Sequence, residues 1–262
     1  MKIGIILDDK EKSENTDFFL KNIRTIEYAD VHLLVNCFTK ETKFGIFRKL
    51  TEYGVKKFIA KSIFSFTSGR LFESNRDLSE SKFDQFGNPA LSIFPIRSLR
   101  NSVYSYSKRE IDEIISLNLD LILRSDGRGI LKGEILSAAK FGVVSIHYSD
   151  NRKIRGGPPG FWEIYLKQDK TGYTIQILNE KIDSGDVIGR GEHRTISNYS
   201  RNRDTIATKA NSHMIDILRD FCDTGNLPEP EPKTSALGKV YSTPSIKEQL
   251  LYLFLRKSKA AN

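Results

Sequence analysis

A histidine at the end of an apolar segment and an aspartate in a later turn have the residue types and setting for proton-transfer chemistry. His147 closes the β-rich segment 143–147, and Asp183 lies 36 residues further on in an acidic, Gly-containing turn. Because side chains alternate along a strand, Ser145 and His147 are expected to share a face. Histidine titrates near pH ~6.5, so it can accept or donate a proton at neutral pH, and a neighbouring carboxylate can stabilise its cationic form. Taken alone, however, His147 also fits a structural strand-end histidine, and Asp183 an ordinary β-turn.

The residues between this pair add features at fixed spacing. In chain order they are Gly156, nine residues after His147, then Pro159, Trp162, Thr-Gly-Tyr-Thr at residues 171–174 and Asp-Ser-Gly-Asp-Val at residues 183–187. The series resembles the core of the folate-dependent formyltransferases. These enzymes carry Asn-x-His at a strand end, Gly nine residues after the His, Pro and Trp, Thr-Gly-x-Thr, and Asp-x-Gly-x-Ile/Val. The layout is most similar to that of the sugar N-formyltransferases and of the catalytic core of methionyl-tRNA formyltransferase, over roughly residues 90–195.

The resemblance implies transfer of a formyl group from 10-formyltetrahydrofolate to an amine. His147 is then the proton-transfer and oxyanion-stabilising group, and Asp183 is its electrostatic partner. Ser145 stands where the family has an asparagine, and a hydroxyl reaches less far than a carboxamide. Three explanations stay open: Ser145 acts through a water, Asn151 moves in from the following loop, or the activity is altered and the chain is a binding protein.

The resemblance also indicates where folate would bind. Family members hold the pterin ring mainly through backbone groups of the loop after the strand that precedes the catalytic one. In this sequence the corresponding candidates are Arg128, Gly129, Ile130 and Leu131, and Ile130-Leu131 matches the family's Ile-Leu. An ordinary strand-to-helix loop is the alternative. The chemistry requires no metal, and no Cys/His cluster offers a metal site.

The acceptor is expected to be a small-molecule amine, an amino sugar carried on a nucleotide. An enzyme like methionyl-tRNA formyltransferase is the alternative, although those enzymes carry a long carboxy-terminal domain, for which too few residues follow residue 200. The glycinamide ribonucleotide enzyme has a Gly-rich phosphate loop after its first strand, where this chain has Asp8-Asp9. The candidate substrate-binding residues are Asn151, Arg152, Arg155 and Trp162. The two arginines and Lys153 could bind a diphosphate, or they could form a solvent-exposed basic turn. Trp162 could line the ligand site, or it could belong to the core.

The charge balance adds only a weak constraint on partners. Lys and Arg number 41 against 33 acidic residues, a net charge of +8 that suits an anionic partner. The charge is spread along the chain, so a solvated surface is the alternative, and neither nucleic acid nor a membrane is expected as a partner. The N-terminus predicts a first core strand rather than a signal peptide, and Cys37 and Cys222 predict free thiols. We therefore expect a cytoplasmic protein, with a homodimer left open.

The elements that must position these residues predict an α/β fold. Strand-like and helix-like segments alternate through the first 150 residues, which indicates a doubly wound, mostly parallel sheet that binds ligands beyond its carboxyl ends. The resemblance makes residues 1–200 a Rossmann-like formyltransferase core and residues 201–262 a small C-terminal accessory region. No G-x-G-x-x-G or P-loop follows the first strand. Strands are expected at 2–7, 31–37, 57–60, 91–96, 119–123, 142–147 and 239–244, helices at 15–28, 45–53, 107–117, 133–140, 161–166, 204–224 and 245–257, and a surface loop at 65–89.

Overall fold

A computed structural model describes residues 1–8, 14–37, 55–65, 88, 90–98, 103–125, 129–233 and 236–259. Its strands are Lys2–Asp8 (β1), Asp30–Asn36 (β2), Leu91–Ile93 (β3), Ile96–Arg97 (β4), Val103–Ser105 (β5), Leu121–Arg124 (β6), Ile130–Leu131 (β7), Val143–His147 (β8), Ile154–Gly156 (β9), Lys170–Ile177 (β10), Asp186–Arg194 (β11) and Lys239–Tyr241 (β12). Its helices are Glu14–Ile23 (α1), residues 55–65 (α2), Lys108–Ser116 (α3), Phe161–Tyr165 (α4), Tyr199–Thr224 (α5) and Ile246–Lys259 (α6), with a short 3-10 helix at Glu134–Ser137.

Seven of the strands form one sheet in the order β11-β10-β8-β6-β1-β2-β3. The neighbours from β8 to β3 pair in parallel, and β10 and β11 add two antiparallel strands at the other edge. The chain leaves β1 first towards β2 and β3, and later returns to the other side of β1 through β6. The strand order therefore reverses between β1 and β6, a point where sheets of this kind bind ligands beyond their carboxyl ends.

Helices cover both faces of the sheet, which confirms the predicted doubly wound α/β fold. On one face α1 and α5 pack against the sheet, and α5 buries Ile206, Met214 and Phe221 on a stripe with helical spacing. On the other face α3 contributes Ile111 and Ile114. Full burial of side chains of this size stabilises the fold by about 1.5–3 kcal/mol each.

The second face changes character along its strands. Near the amino ends it carries apolar side chains such as Ile6, Ile122 and Val143. Two residues further along the same strands, the alternation of side chains places polar residues on the same face. We call this row the polar edge, and it consists of Asp8, Asn36, Arg124, Ser145 and His147, continued on antiparallel β10 by Thr174 and Gln176.

The sequence predicts several elements correctly because their signals are local. Ser107 and Glu110 form the predicted capping box at the start of α3, and Ser245 and Glu248 form the second one before α6. Gly225 ends α5 in the left-handed conformation, as predicted.

Other predictions are wrong in type or extent. Residues 57–60, predicted as a strand, are helical within α2, where the buried Ala60 and Phe64 are four residues apart. The first helix ends at Ile23 instead of residue 28, and the helix predicted at 133–140 is only the short 3-10 helix. The last long helix begins at Tyr199, five residues early, because Asn198 caps it. The helix predicted at 45–53 and nearly all of the loop at 65–89 lie outside the described residues.

The C-terminal segment reaches back to the loop after His147. β12 pairs in parallel with β9, and the Pro-containing stretch 228–232 before it has no regular structure. The division of the chain at residue 200 stays a prediction. No helix in the described part of the chain has the length and apolar character needed to cross a membrane.

Candidate active site

His147 and Asp183 meet at the polar edge. Nδ1 of His147 lies 3.5 Å from Oδ1 of Asp183, and Nε2 lies 2.9 Å from the carbonyl oxygen of Ile154. A carbonyl oxygen only accepts hydrogen bonds, so Nε2 must carry the hydrogen and Nδ1 is the nitrogen free to exchange a proton. When Nδ1 is protonated as well, each N–H of the imidazolium faces an acceptor. His147 is 8% exposed, so both of these contacts lie in a largely water-excluded setting.

The turn that carries Asp183 is fixed at both of its sides. Asp183 has a φ of 48°, a left-handed conformation that aspartate tolerates better than most residues. Its Oδ2 accepts a hydrogen bond of 2.6 Å from the amide of Gly156. The amide of Gly185 donates to Oε1 of Gln176 at 2.9 Å, and a Cβ at Gly185 would lie 2.0 Å from the carbonyl oxygen of Ile177. Only glycine fits there, so the Asp-x-Gly spacing locks the carboxylate in place.

Asn151 lies against the same turn. Its side chain is 1% exposed, and Nδ2 donates to the carbonyl oxygen of Asp183 at 3.2 Å. Its backbone amide donates to Oγ1 of Thr174 at 3.2 Å. Oδ1 of Asn151 is buried and has no partner in the described part of the chain. The structure thus brings this predicted substrate-binding residue to the centre of the site, as a brace for Asp183.

The charge of Arg152 is already paired within the protein. Its guanidinium forms three hydrogen bonds with the carboxylate of Asp150, at 2.9, 3.2 and 2.8 Å, and Arg190 meets the same carboxylate at 3.0 Å. Burial acts to raise the pKa of Asp150, but the two guanidinium groups outweigh it and hold that pKa below its usual value. Arg152 therefore neutralises a buried carboxylate at the flank of the site.

Arg155, in contrast, contacts only backbone carbonyls within the described residues. Nε donates to the oxygen of Gly238 at 2.8 Å, and a terminal nitrogen donates to the oxygen of Ile182 at 3.2 Å. The side chain bridges the C-terminal segment to the turn of Asp183, and its positive charge has no carboxylate partner among the described residues.

Trp162 is a core residue in the structure. It is 5% exposed and packs against Phe161, Tyr165 and Tyr241, with 4.7 Å between its ring centroid and that of Tyr241. Its Nε1 reaches the carbonyl oxygens of Gly157 and Ser242, both at 3.2 Å. Of the two sequence interpretations, this position favours the core, where Trp162 supports the loop after His147.

The predicted folate loop begins beside Ser145. Ser145 and Arg124 are register partners on β8 and β6, and the Arg124 guanidinium donates to the carbonyl oxygen of Gly129 at 2.9 Å. Gly129 has a φ of 73°, which favours glycine. Ile130 and Leu131 form β7, and Leu131 packs into the core under it. Arg128 lies outside the described residues.

Two further buried polar residues were not among the site residues predicted from the sequence. Gln176 lies opposite Ser145 across β8 and β10, a relation that only the strand register reveals. Glu163 is 2% exposed and accepts a hydrogen bond of 2.7 Å from the hydroxyl of Ser149. Burial raises the pKa of Glu163 to about 7. The available signal in the sequence was that Glu163 is the one charged residue in the otherwise apolar and aromatic run 161–166. The described residues contain no group of three or more metal-ligating side chains.

No family model matches the chain. Curated relatives match part of it. Over 109 residues, 42% of this chain, it is 33% identical to the methionyl-tRNA formyltransferase of Bacillus cereus strain B4264. The corresponding protein of Bacillus thuringiensis strain Al Hakam is 36% identical over the same length. The matched segment spans 32% of each of these relatives, about a third of their length.

Solved structures match nearly the whole chain at low identity. A sugar N-formyltransferase from a Shewanella species has a TM-score of 0.56 and 14% identity, covering 97% of this chain and 87% of that one. Glycinamide ribonucleotide transformylase 1 from Symbiobacterium toebii has a TM-score of 0.58 and 13% identity, covering 92% and 94%. A 4-N formyltransferase from Francisella tularensis has a TM-score of 0.55 and 16% identity, covering 97% and 87%. The chain therefore has the fold of the formyltransferases, and the resemblance to that family predicted from the sequence is confirmed.

Proposed function

We propose that the chain transfers the formyl group of 10-formyltetrahydrofolate to the amino group of an amino sugar carried on a nucleotide. The observation that carries this proposal is the His147–Asp183 pair, held at the carboxyl edge of a sheet with the formyltransferase fold. The pair lies next to the strand-order reversal, where such sheets bind ligands.

The chemistry needs few groups. The amine nitrogen attacks the formyl carbon and forms a C–N bond, and the carbonyl oxygen becomes an oxyanion that preorganised donors stabilise. The bond between that carbon and N10 of the folate then breaks, the amine loses a proton and N10 gains one. Nδ1 of His147 is the atom we assign to this proton exchange, because Nε2 is held by Ile154. Asp183 stabilises the imidazolium while it carries the proton.

The donor is assigned to Gly129, Ile130 and Leu131, which follow β6. Arg124 at the end of β6 is the register neighbour of Ser145 and contacts Gly129, so a pterin on these residues would lie near the strand ends that carry Ser145 and His147. Arg124 ties the loop to the sheet through the oxygen of Gly129. The left-handed glycine brings backbone groups close to a planar ring without a side chain in the way. Gly129, Ile130 and Leu131 would therefore act through their backbone.

A nucleotide-linked sugar suits the charges around the pair. Arg155 in β9 carries a positive charge with no carboxylate partner among the described residues, and it donates a hydrogen bond to the carbonyl oxygen of Ile182, next to Asp183. A diphosphate bound there would lie beside Ile154, whose carbonyl oxygen contacts the ring of His147.

An acceptor screen tests this function. The chain is incubated with 10-formyltetrahydrofolate and a panel of nucleotide-linked amino sugars, and mass spectrometry detects a gain of one carbonyl group. His147→Ala should abolish the gain. His32→Ala is the matched control, because His32 also pairs with an aspartate, Asp30 at 3.4 Å, but at the opposite end of the sheet. Formate release without any amine would instead identify a hydrolase. Folate binding without turnover would identify a binding protein.

Methionyl-tRNA is the second acceptor to include. The match to methionyl-tRNA formyltransferases over 109 residues favours it. Formylation of methionyl-tRNA in preference to every amino sugar would replace the sugar proposal while leaving the His147 chemistry unchanged.

A further inference from the structure

The polar edge has a carboxamide next to the position where the family's asparagine is missing. Ser145 on β8 and Gln176 on β10 are direct antiparallel partners, and His147 and Thr174 are the next pair on the same face. Side chains of directly opposed residues have Cβ atoms roughly 4.5–5.5 Å apart. Gln176 is therefore a neighbour of both Ser145 and His147.

The amide group of Gln176 is oriented by one hydrogen bond and has another to give. Oε1 accepts from the amide of Gly185 at 2.9 Å, which identifies Nε2 as the opposite end of the carboxamide. Within the part of the chain that the structure describes, Nε2 donates to no residue. Gln176 is 2% exposed, so the protein encloses most of its side chain.

Ser145 is smaller than the asparagine that the family carries at this position. Serine is shorter than asparagine and partly exposed here, so it fills less of the space beside Gln176 than an asparagine would. Asn151, the other nearby carboxamide, is less suited. One N–H of its Nδ2 is directed at the carbonyl oxygen of Asp183, and its Oδ1 can only accept.

We propose that Gln176 is a catalytic residue whose Nε2 donates a hydrogen bond to the oxyanion, in place of the asparagine that Ser145 replaces. This inference rests on the proposed formyl transfer. The same carboxamide fixes the turn of Asp183 through Gly185, so one side chain sets the donor and the carboxylate relative to each other. A preorganised donor in a water-poor site contributes most when charge develops in the transition state.

The test compares variants that separate the donor from the turn. Gln176→Glu keeps an acceptor for the Gly185 amide and removes the donor, whereas Gln176→Met removes both. The double variant Ser145→Asn/Gln176→Met returns a carboxamide to the family position without restoring the Gly185 bond. Each is assayed for kcat and for KM of the acceptor found with the wild-type chain, and its folding is checked by thermal unfolding.

We expect kcat to fall on the order of 10²-fold in both single variants, with KM nearly unchanged, and the double variant to recover at least ~10-fold of the loss. Full activity in Gln176→Glu would show that Gln176 only supports the turn, and so would a double variant that is no more active than Gln176→Met. Either result would overturn this inference and leave the proposed function standing. A wild-type chain that formylates no acceptor overturns the proposed function, and the oxyanion role with it.

Discussion

The amide of Gly156 donates a hydrogen bond of 2.6 Å to Oδ2 of Asp183, and this contact links the candidate site to the C-terminal segment. Gly156 ends β9 and lies opposite Tyr241 of β12. Arg155 adds a second link, from β9 to the carbonyl oxygen of Gly238, the residue before β12. The position of the Asp183 carboxylate thus depends on β12, which lies more than fifty residues further along the chain.

Replacing Gly156 by alanine should disrupt this link. Gly156 has a φ of 76°, and a Cβ there would lie 2.2 Å from the carbonyl oxygen of Tyr241. The backbone must shift, which displaces the amide that holds Asp183. We expect kcat of Gly156→Ala to fall at least ~10-fold, since small displacements of catalytic groups cost this much or more.

The next residue supplies the matched control for that change. A Cβ at Gly157 would meet no atom closer than 3.7 Å, and its φ is not in the left-handed region. Gly157→Ala should therefore keep kcat within about twofold of wild type. Equal losses in the two variants would show that the loop tolerates no methyl group at all, contrary to a specific role for Gly156.

The charge of Asp183 should matter more than its hydrogen bond. Asp183→Asn keeps an oxygen for the Gly156 amide but leaves the His147 imidazolium without a carboxylate. We expect kcat to fall about 10²–10⁴-fold, the usual contribution of a positioned acid–base system. Asp186→Asn is the control, because Asp186 lies three residues further along and pairs with the exposed Lys233. A similar loss in both variants would argue against the assigned pair.

The sequence predicts those parts of the site whose signals lie within one segment. His147 closes a strand that its residue types indicate, and Asp183 lies in a turn that only Gly185 can complete. The capping box at Ser107 is likewise a local pattern. The strand predicted at 57–60 is wrong, because Phe58 and Ile59 favour strands when only the local sequence is considered. Burial of Ala60 and Phe64 against other helices makes the segment helical.

The remaining parts depend on long-range pairing. Gln176 faces Ser145 only because β8 and β10 are antiparallel in one particular register, and β10 has an irregularity at Gln176 in its pairing with β11. A shift of one residue would send Gln176 to the opposite face. In the same way, nothing local in Val240 or Tyr241 indicates that β12 joins β9.

Arg155 should contribute to binding of the acceptor's phosphates. Arg155→Lys keeps a charge but loses the two-carbonyl bridge, and Arg155→Ala loses both. We expect Arg155→Ala to raise KM for a nucleotide-linked sugar about tenfold or more, and to affect a sugar amine without nucleotide much less. Arg152→Ala is the comparison, because Asp150 already neutralises Arg152. An equal rise in KM for acceptors with and without the nucleotide would mean that Arg155 only positions the turn of Asp183.

Glu163 should make the stability of the fold depend on pH. Burial raises the pKa of Glu163 from an ordinary 4.5 to about 7, so the folded chain holds this proton more tightly than the unfolded chain does. The stabilisation is complete below about pH 4.5, declines as pH rises and is lost above about pH 7. Glu163→Gln keeps the acceptor for Ser149 without an ionisable group. At pH 8 it should therefore be more stable than wild type, by up to about 3 kcal/mol.

Urea unfolding between pH 5 and pH 8 measures this effect. The difference in unfolding free energy between Glu163→Gln and wild type should grow as pH rises through this range, because only the wild-type chain must bury a developing carboxylate. Glu229→Gln is the control, since Glu229 is exposed in the stretch before β12 and its removal should leave the slope unchanged. A constant difference across the range would mean that Glu163 keeps the same charge in the folded chain at pH 5 and at pH 8, against the pKa that its burial implies.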